Sequence, residues 1–377
     1  MCSSDLLPVN EAFGKVVAEE LAASEGRSQV MLHDYHLYVA PRVIRDLVPD
    51  AALQHFVHIP WPGPEVWESL PRPIVEGICR GLLANDSVVF QTEECVDNFR
   101  LTCQAFLPDA YLKDDGTAIL RHGRATCVWA NPISVDVSDL LSRLAQPAAG
   151  EYRRALAPAP GERTIVRVDR LDPTKNIIAG FRAFDLLLER HPEWAGRARF
   201  LAFLVPSRNG ILEYRHYTEK ALALVKDIND RHGRPGWKPI TVFHEHNRLQ
   251  ALVAMSLYDV LLVNPLQDGM NLVSKEGPAV NERNGVLVLS TSAGSYAELR
   301  DGVLPVRADD AVGTSEALHV ALSMPAEERA ARAKRLKEIV EDHDLDDWLR
   351  FQLEDLASIG CGQAAMSPVM GPALVGG

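Results

Sequence analysis

The chain has little that would mark it as secreted, membrane-bound or nucleic-acid-binding. It contains no run of about 18 apolar residues, so no transmembrane helix is expected. Its start, MCSSDLLPVNEAFG, has no basic stretch and carries acids early, which excludes a signal peptide of the usual kind. Six cysteines (Cys2, Cys79, Cys95, Cys103, Cys127, Cys361) are scattered without a C-x-x-C pair, the pattern of reduced thiols in a cytoplasmic protein. Positive charge is in deficit: 51 Asp and Glu against 39 Lys and Arg leave a net charge of −12. That balance disfavours nucleic acid and anionic membrane as partners, while leaving room for a local basic pocket. There is no P-loop, no G-x-S-x-G, no H-E-x-x-H and no internal repeat.

What is present is an alternation of strands and helices over 377 residues, more than one hydrophobic core usually holds. Apolar runs such as VMLHDYH, LQHFVHIPWP, DSVVFQTEE, RTIVRVDR, RFLAFLV, PITVFHE, DVLLV and GVLVLS read as strands. Between them lie helical patterns, of which NIIAGFRAFDLLLERHP is the clearest, with Ile177, Ile178, Phe181, Phe184, Leu187 and Leu188 on one side and Pro192 as its stop. Such alternation predicts doubly wound parallel sheets, whose ligands bind beyond the carboxyl ends of the strands. The Pro/Ala/Gly-rich stretch APAPGE at Ala157–Glu162 reads as a linker or as a loop before a new strand, and a Gly/Ala/Pro-rich tail follows Cys361.

Polar groups at strand ends are the candidate site. Arg170 and Lys175, in VDRLDPTKN, lie just before a helix start, where backbone N–H groups already favour an anion. They read either as a diphosphate site or as two solvated surface cations. In NPLQDGMNLVSKEG, Asp268 suits sugar hydroxyls, Gly269 and Asn271 allow close approach of the backbone, and Glu276 suits a ribose diol. The alternative is that Asp268 and Asn271 cap the helix and Glu276 is a solvated acid. Asp34, in HDYH, is a simpler acceptor for hydroxyls than part of a metal set, and His244 and His246 lack a third ligand at a recognisable spacing, so no metal is expected. His58 and Arg208 are further polar residues beside apolar strands.

Five blocks in register, HDYHLYVAP, FVHIPWPGPEVWESLP, VFQTEECVDNF, VDRLDPTKNI and NPLQDGMNLVSKEGPAVNE, resemble the trehalose-6-phosphate synthase family of retaining glucosyltransferases from about Val9 to Leu356. The resemblance implies the α/β GT-B fold, two Rossmann-like domains facing across a cleft. It divides the chain into an N-terminal acceptor-side domain (residues 1–157), a nucleotide-sugar domain (158–343), a final helix crossing back (344–360) and a disordered tail (361–377). It implies a first domain lacking an upstream strand and glycine-rich loop. Arg170 and Lys175 would bind the donor diphosphate and help the nucleotide leave. Asp268, with the backbone of Gly269, Met270, Asn271, Leu272 and Val273, would hold the donor sugar, and Glu276 the ribose. Asp34 and His58 would face the reacting sugars, and Arg208 the acceptor phosphate. Gln267 and Ser134 depart from the family pattern. The implied partners are UDP-glucose or GDP-glucose and glucose 6-phosphate, with a homo-oligomer compatible and no cofactor. Two other readings fit the same residues: a transferase with another phosphorylated acceptor, as in glucosylglycerol-phosphate synthases or cyclitol-coupling pseudo-glycosyltransferases, and an inactive fragment that binds nucleotide sugar.

Overall fold

The structure is a computed structural model that describes residues 3–24, 28–208 and 210–360. Cys2, Cys361 and the tail expected to be disordered lie outside the described residues. The chain divides into two compact units, residues 1–133 with 346–377, and residues 134–345. The APAPGE stretch lies inside the second unit. No helix among the described residues is long and apolar enough to cross a membrane. Cys79, Cys95, Cys103 and Cys127 are free thiols.

The first unit is built on a six-stranded sheet of β1 (Gln29–His33), β2 (Ala52–Phe56), β3 (Ser87–Phe90), β4 (Ala110–Leu112), β5 (Ala118–Arg121) and β6 (Arg124–Ala130), in the order β1-β2-β3-β6-β5-β4. The first four in that order run parallel, and β5 and β4 turn antiparallel at one edge. Nothing in the hydrophobic pattern announced that hairpin, although Asp115-Gly116 is a turn signal, with Gly116 at φ 74°. The central strand β3 is buried at every position, as a sheet covered on both faces requires. Trp61, Phe90 and Phe99 pack edge-to-face around it. The helix Leu345–Gly360 returns to this unit: Gln54 donates to Asp355 Oδ2 at 2.5 Å, and Trp348 meets Phe56 edge-on. β1 pairs with β2 alone among the described strands.

The second unit carries β7 (Arg163–Arg170), β8 (Ala198–Val205), β9 (Ile240–Phe243), β10 (Val260–Val263), β11 (Val286–Ser290) and β12 (Leu304–Val306), all parallel. Their order is β12-β11-β10-β7-β8-β9. Counting from β7, the strand order is the dinucleotide-binding one, and it reverses between β7 and β10. At such a reversal the loops leave the sheet in opposite directions, and ligands of doubly wound sheets bind there. The helix Ile177–Arg190 buries Ile177, Phe181, Phe184, Leu187 and Leu188 against the sheet, while Ile178 is half-buried. A second helix, Pro147–Leu156, follows Val137–Leu144; Pro147 stands at its first turn, where its missing N–H costs nothing.

Candidate active site

The second unit places its candidates at the β7/β10 reversal. Arg170 ends β7 and is exposed. The next residues turn tightly: Asp172 accepts from the Thr174 N–H and hydroxyl at 3.0 and 2.9 Å, and Lys175 closes the turn. Asn176 then takes a left-handed conformation, φ 58°, which an amide side chain tolerates best after glycine. Its Nδ2 donates to the carbonyls of Asn264 (3.1 Å) and Ala308 (2.7 Å), tying the β7 loop to the ends of β10 and β12. The helix Ile177–Arg190 begins here, so its N-terminal N–H groups and two cations share one strand end.

Opposite, after β10, Asp268 is not a helix cap. Its Oδ2 accepts from Lys175 Nζ in a short ion pair and from Asn271 Nδ2 at 3.0 Å. Asn271 has the capping role: it is left-handed at φ 71°, and its Oδ1 accepts from the Ser274 N–H at 3.3 Å. The close approach expected at Gly269 uses a different glycine's freedom. Gly269 is not in the left-handed region; Gly294 faces it, and a Cβ there would lie 1.9 Å from the Gly269 carbonyl oxygen. Met270 is buried, Leu272 exposed and Val273 half-buried, so this loop offers main chain more than side chains to a ligand. Lys275 is buried against Glu298 (2.8 Å) and belongs to the framework.

Glu276, on the helix Val273–Val280, opens into a cavity of about 140 Å³ that is also lined by Val168, Phe203, Glu245, Asn247 and Arg248. Burial raises its carboxyl above the usual range, opposed by Arg248 3.7 Å away. A half-desolvated carboxylate beside an aromatic and apolar floor suits a ribose under a base. Arg208 follows β8 with φ 48°, and its guanidinium donates to the Tyr214 hydroxyl at 3.1 Å; that hydroxyl lies 3.3 Å from Asp172.

A residue missed in the sequence underlies the whole loop. Arg167 sits within β7, fully buried. It donates to Asn264 Oδ1 at 2.6 Å and, through a short contact, to the Lys175 carbonyl, and its Nε lies 2.9 Å from Asp169. Burial pushes the Asp169 carboxyl up to about 6 against the pull of Arg167. The only sequence signal was a charge inside an apolar strand run, which rarely stands unpaired.

The first unit gathers its own candidates at the ends of β1 and β2. Asp34 has φ 64° and ψ 177°, a region nearly reserved for glycine that costs about 1–3 kcal/mol. Its Oδ1 is buried without a hydrogen-bond partner. His58 Nε2 lies 3.1 Å from His33 Nδ1, the rings stacked at 5.3 Å, so one of the two nitrogens carries the shared proton. Burial lowers the pKa of both imidazoles, His33 lowers that of His58 further, and the nearby Asp34 opposes the shift in both. Asp34 and His58 are thus brought together in the first unit, while Arg170, Lys175, Asp268, Glu276 and Arg208 belong to the second.

The first unit carries a mostly parallel sheet and the second a doubly wound one, with two cations and an acid at its strand-order reversal, the place where ligands of such sheets bind. The chain belongs to Glycosyltransferase family 20, whose profile matches residues 4–358. It is 34% identical over 343 residues to a bifunctional trehalose-6-phosphate synthase/phosphatase of Thermoproteus tenax, covering 90% of this chain and 46% of that one. The chain therefore spans about half the length of that curated relative. It is also similar to the crystal structure of a UDP-forming alpha,alpha-trehalose-phosphate synthase from Burkholderia vietnamiensis, with a TM-score of 0.85, 30% identity, and coverage of 94% of this chain and 80% of that one. The Burkholderia xenovorans synthase in complex with glucose-6-phosphate matches at a TM-score of 0.83 and 28% identity over 92% of this chain and 77% of that one.

Proposed function

We propose that this chain transfers glucose from UDP-glucose to glucose 6-phosphate, releasing UDP and forming trehalose 6-phosphate with retention at the glucose anomeric carbon. The observation that carries the reading is the Lys175–Asp268 pair at the β7/β10 reversal, with Glu276 on the helix that follows the Asp268 loop and lining a cavity beside β7 and β8. Lys175 and Arg170, at the start of a helix, neutralise the diphosphate as the bond from glucose C1 to its oxygen breaks. Stabilising that developing charge is the main catalytic effect available here. Asp268 accepts from the glucose hydroxyls, and Glu276 from the ribose. The acceptor hydroxyl bonds to C1 on the face the diphosphate leaves, and its proton passes to the departing phosphate oxygen. Asp34 and His58 orient the sugars, and Arg208 takes the acceptor phosphate.

The relatives named UDP-forming support uridine over guanosine in the donor, and the relative bound to glucose-6-phosphate supports that acceptor. The test is UDP release coupled to detection of trehalose 6-phosphate, with UDP-glucose and GDP-glucose as donors, and glucose 6-phosphate and glycerol 3-phosphate as acceptors. UDP release that needs glucose 6-phosphate supports the reading. Nucleotide-sugar binding without transfer, or transfer only to glycerol phosphate, contradicts it.

A further inference from the structure

His55 lies in the middle of an apolar run, LQHFV, one residue from the end of β2, and is completely buried. Its Nε2 is 3.0 Å from the carbonyl oxygen of Asp34. A carbonyl only accepts, so Nε2 bears the hydrogen and the imidazole donates. The other nitrogen, Nδ1, is buried with no hydrogen-bond partner. The Tyr38 ring packs at 5.5 Å on one side. His55 is therefore a neutral imidazole with one defined tautomer and one hydrogen bond, and that bond goes to the main chain of the strained residue.

The neighbouring position completes the grip. The Asp34 N–H donates to the Phe56 carbonyl at 2.8 Å, an ordinary continuation of the β1–β2 ladder. Besides His55, the Asp34 carbonyl accepts a longer 3.4 Å bond from the Leu37 N–H of the following turn. Residues 55 and 56 of β2 thus hold both main-chain polar groups of Asp34, one through a side chain and one through the backbone.

We propose that His55 is a positioning residue for Asp34: its Nε2–H holds the Asp34 main chain in the left-handed conformation that leaves a carboxylate oxygen buried and unpaired for a ligand. A strained residue persists only where its surroundings over-determine it. Without the imidazole N–H, the Asp34 carbonyl loses its shorter donor, and the segment is free to relax toward an extended conformation. A shift of about 1 Å in a reacting group can cost on the order of a hundredfold in rate. The proposal rests on the reading of Asp34 as a sugar-orienting acid.

The test compares the full chain with His55→Phe and His55→Gln. Phe fills the buried volume without a donor, whereas the Gln side-chain NH₂ can replace the imidazole N–H. His55→Phe should lower kcat by about tenfold or more while UDP affinity stays within about twofold, and His55→Gln should recover most of the loss. Circular dichroism and thermal unfolding establish that both variants are folded. A folded His55→Phe protein with wild-type kcat overturns the proposal, as does a His55→Gln variant as impaired as His55→Phe. Nitrogen-15 NMR of the wild-type imidazole gives a reading that needs no activity. Between pH 6 and 7.5 it should report neutral His55 with the proton on Nε2, and the Asp34 Cα shift should move in His55→Phe and not in His55→Gln. An Nδ1–H tautomer, or an unmoved Asp34, overturns the proposal. If wild-type protein transfers no glucose, the proposed function fails, and the NMR result still decides the role of His55.

Discussion

The two units solve different problems with different chemistry. In the second, charges are paired before any ligand arrives: Lys175 with Asp268, Glu276 facing Arg248, Arg167 with Asp169 beneath. In the first, two stacked imidazoles stand beside one strained acid, with an Asp34 oxygen left unpaired. Removing a partner from a buried ion pair leaves an uncompensated charge, so the second unit should respond to substitution mainly through binding. Misplacing Asp34 leaves the diphosphate site alone, so the first unit should respond mainly through turnover.

The largest expected effect is at Asp34. Asp34→Asn should reduce kcat by about a hundredfold or more while UDP affinity stays within about twofold, as steady-state kinetics and calorimetry would report. A parallel loss of UDP binding would erase the contrast between the units. Next, Glu276→Gln should weaken UDP by about fivefold to tenfold, since hydrogen bonds to charged acceptors are stronger than neutral ones. Unchanged affinity would remove the ribose from the 140 Å³ cavity. Asp268→Asn should sharpen the comparison within the second unit. It should weaken UDP-glucose by about fivefold and leave UDP within about twofold, because its sugar contact is lost while Lys175 remains. Equal weakening of both ligands would make Asp268 only an anchor for Lys175.

The smallest effect concerns pH. Burial depresses the folded-state pKa of His55 to about 4 from 6.5, and the imidazoles of His33 and His58 lie close enough to add to the depression while the Asp34 carbonyl opposes it. Below pH 6.5 the unfolded chain binds the proton that the folded chain refuses. The contribution is therefore fully present above pH 6.5 and is lost as pH falls toward 4. Urea unfolding should show His55→Phe losing less stability than wild type between pH 6.5 and 4.5. Identical slopes would mean that His55 is solvated in the folded state.

The strands at the second unit's core were readable because their runs are apolar and bounded by turn residues, as in DVLLV before NPLQDG. The Arg170–Lys175 turn and the 268–276 stretch were readable for the same reason: polar groups stand abruptly where an apolar strand ends. Strand order was not readable. Parallel pairing such as β7 with β10 joins segments about a hundred residues apart, and no local pattern encodes it. Nor were Arg167 and His55 found, because each lies in a run that reads as a core strand, and partners such as the Asn264 side chain and the Lys175 and Asp34 carbonyls reach them only in the folded chain. The contact between His33 and His58 was invisible in the same way, since the ends of β1 and β2 become neighbours only once the two strands pair in register. The helix Pro147–Leu156 went unread, although Pro147 at its first turn is a helix-start signal.

Calorimetric titration of UDP into wild-type protein and Lys175→Ala tests the central claim most directly, that the donor diphosphate is held at the strand-order reversal of the second unit. A charge-assisted contact contributes about 1.5–3 kcal/mol, so the variant should bind UDP at least about tenfold more weakly. Equal affinity in the two proteins would contradict the account, leaving Lys175 as the structural partner of Asp268 and the diphosphate somewhere else.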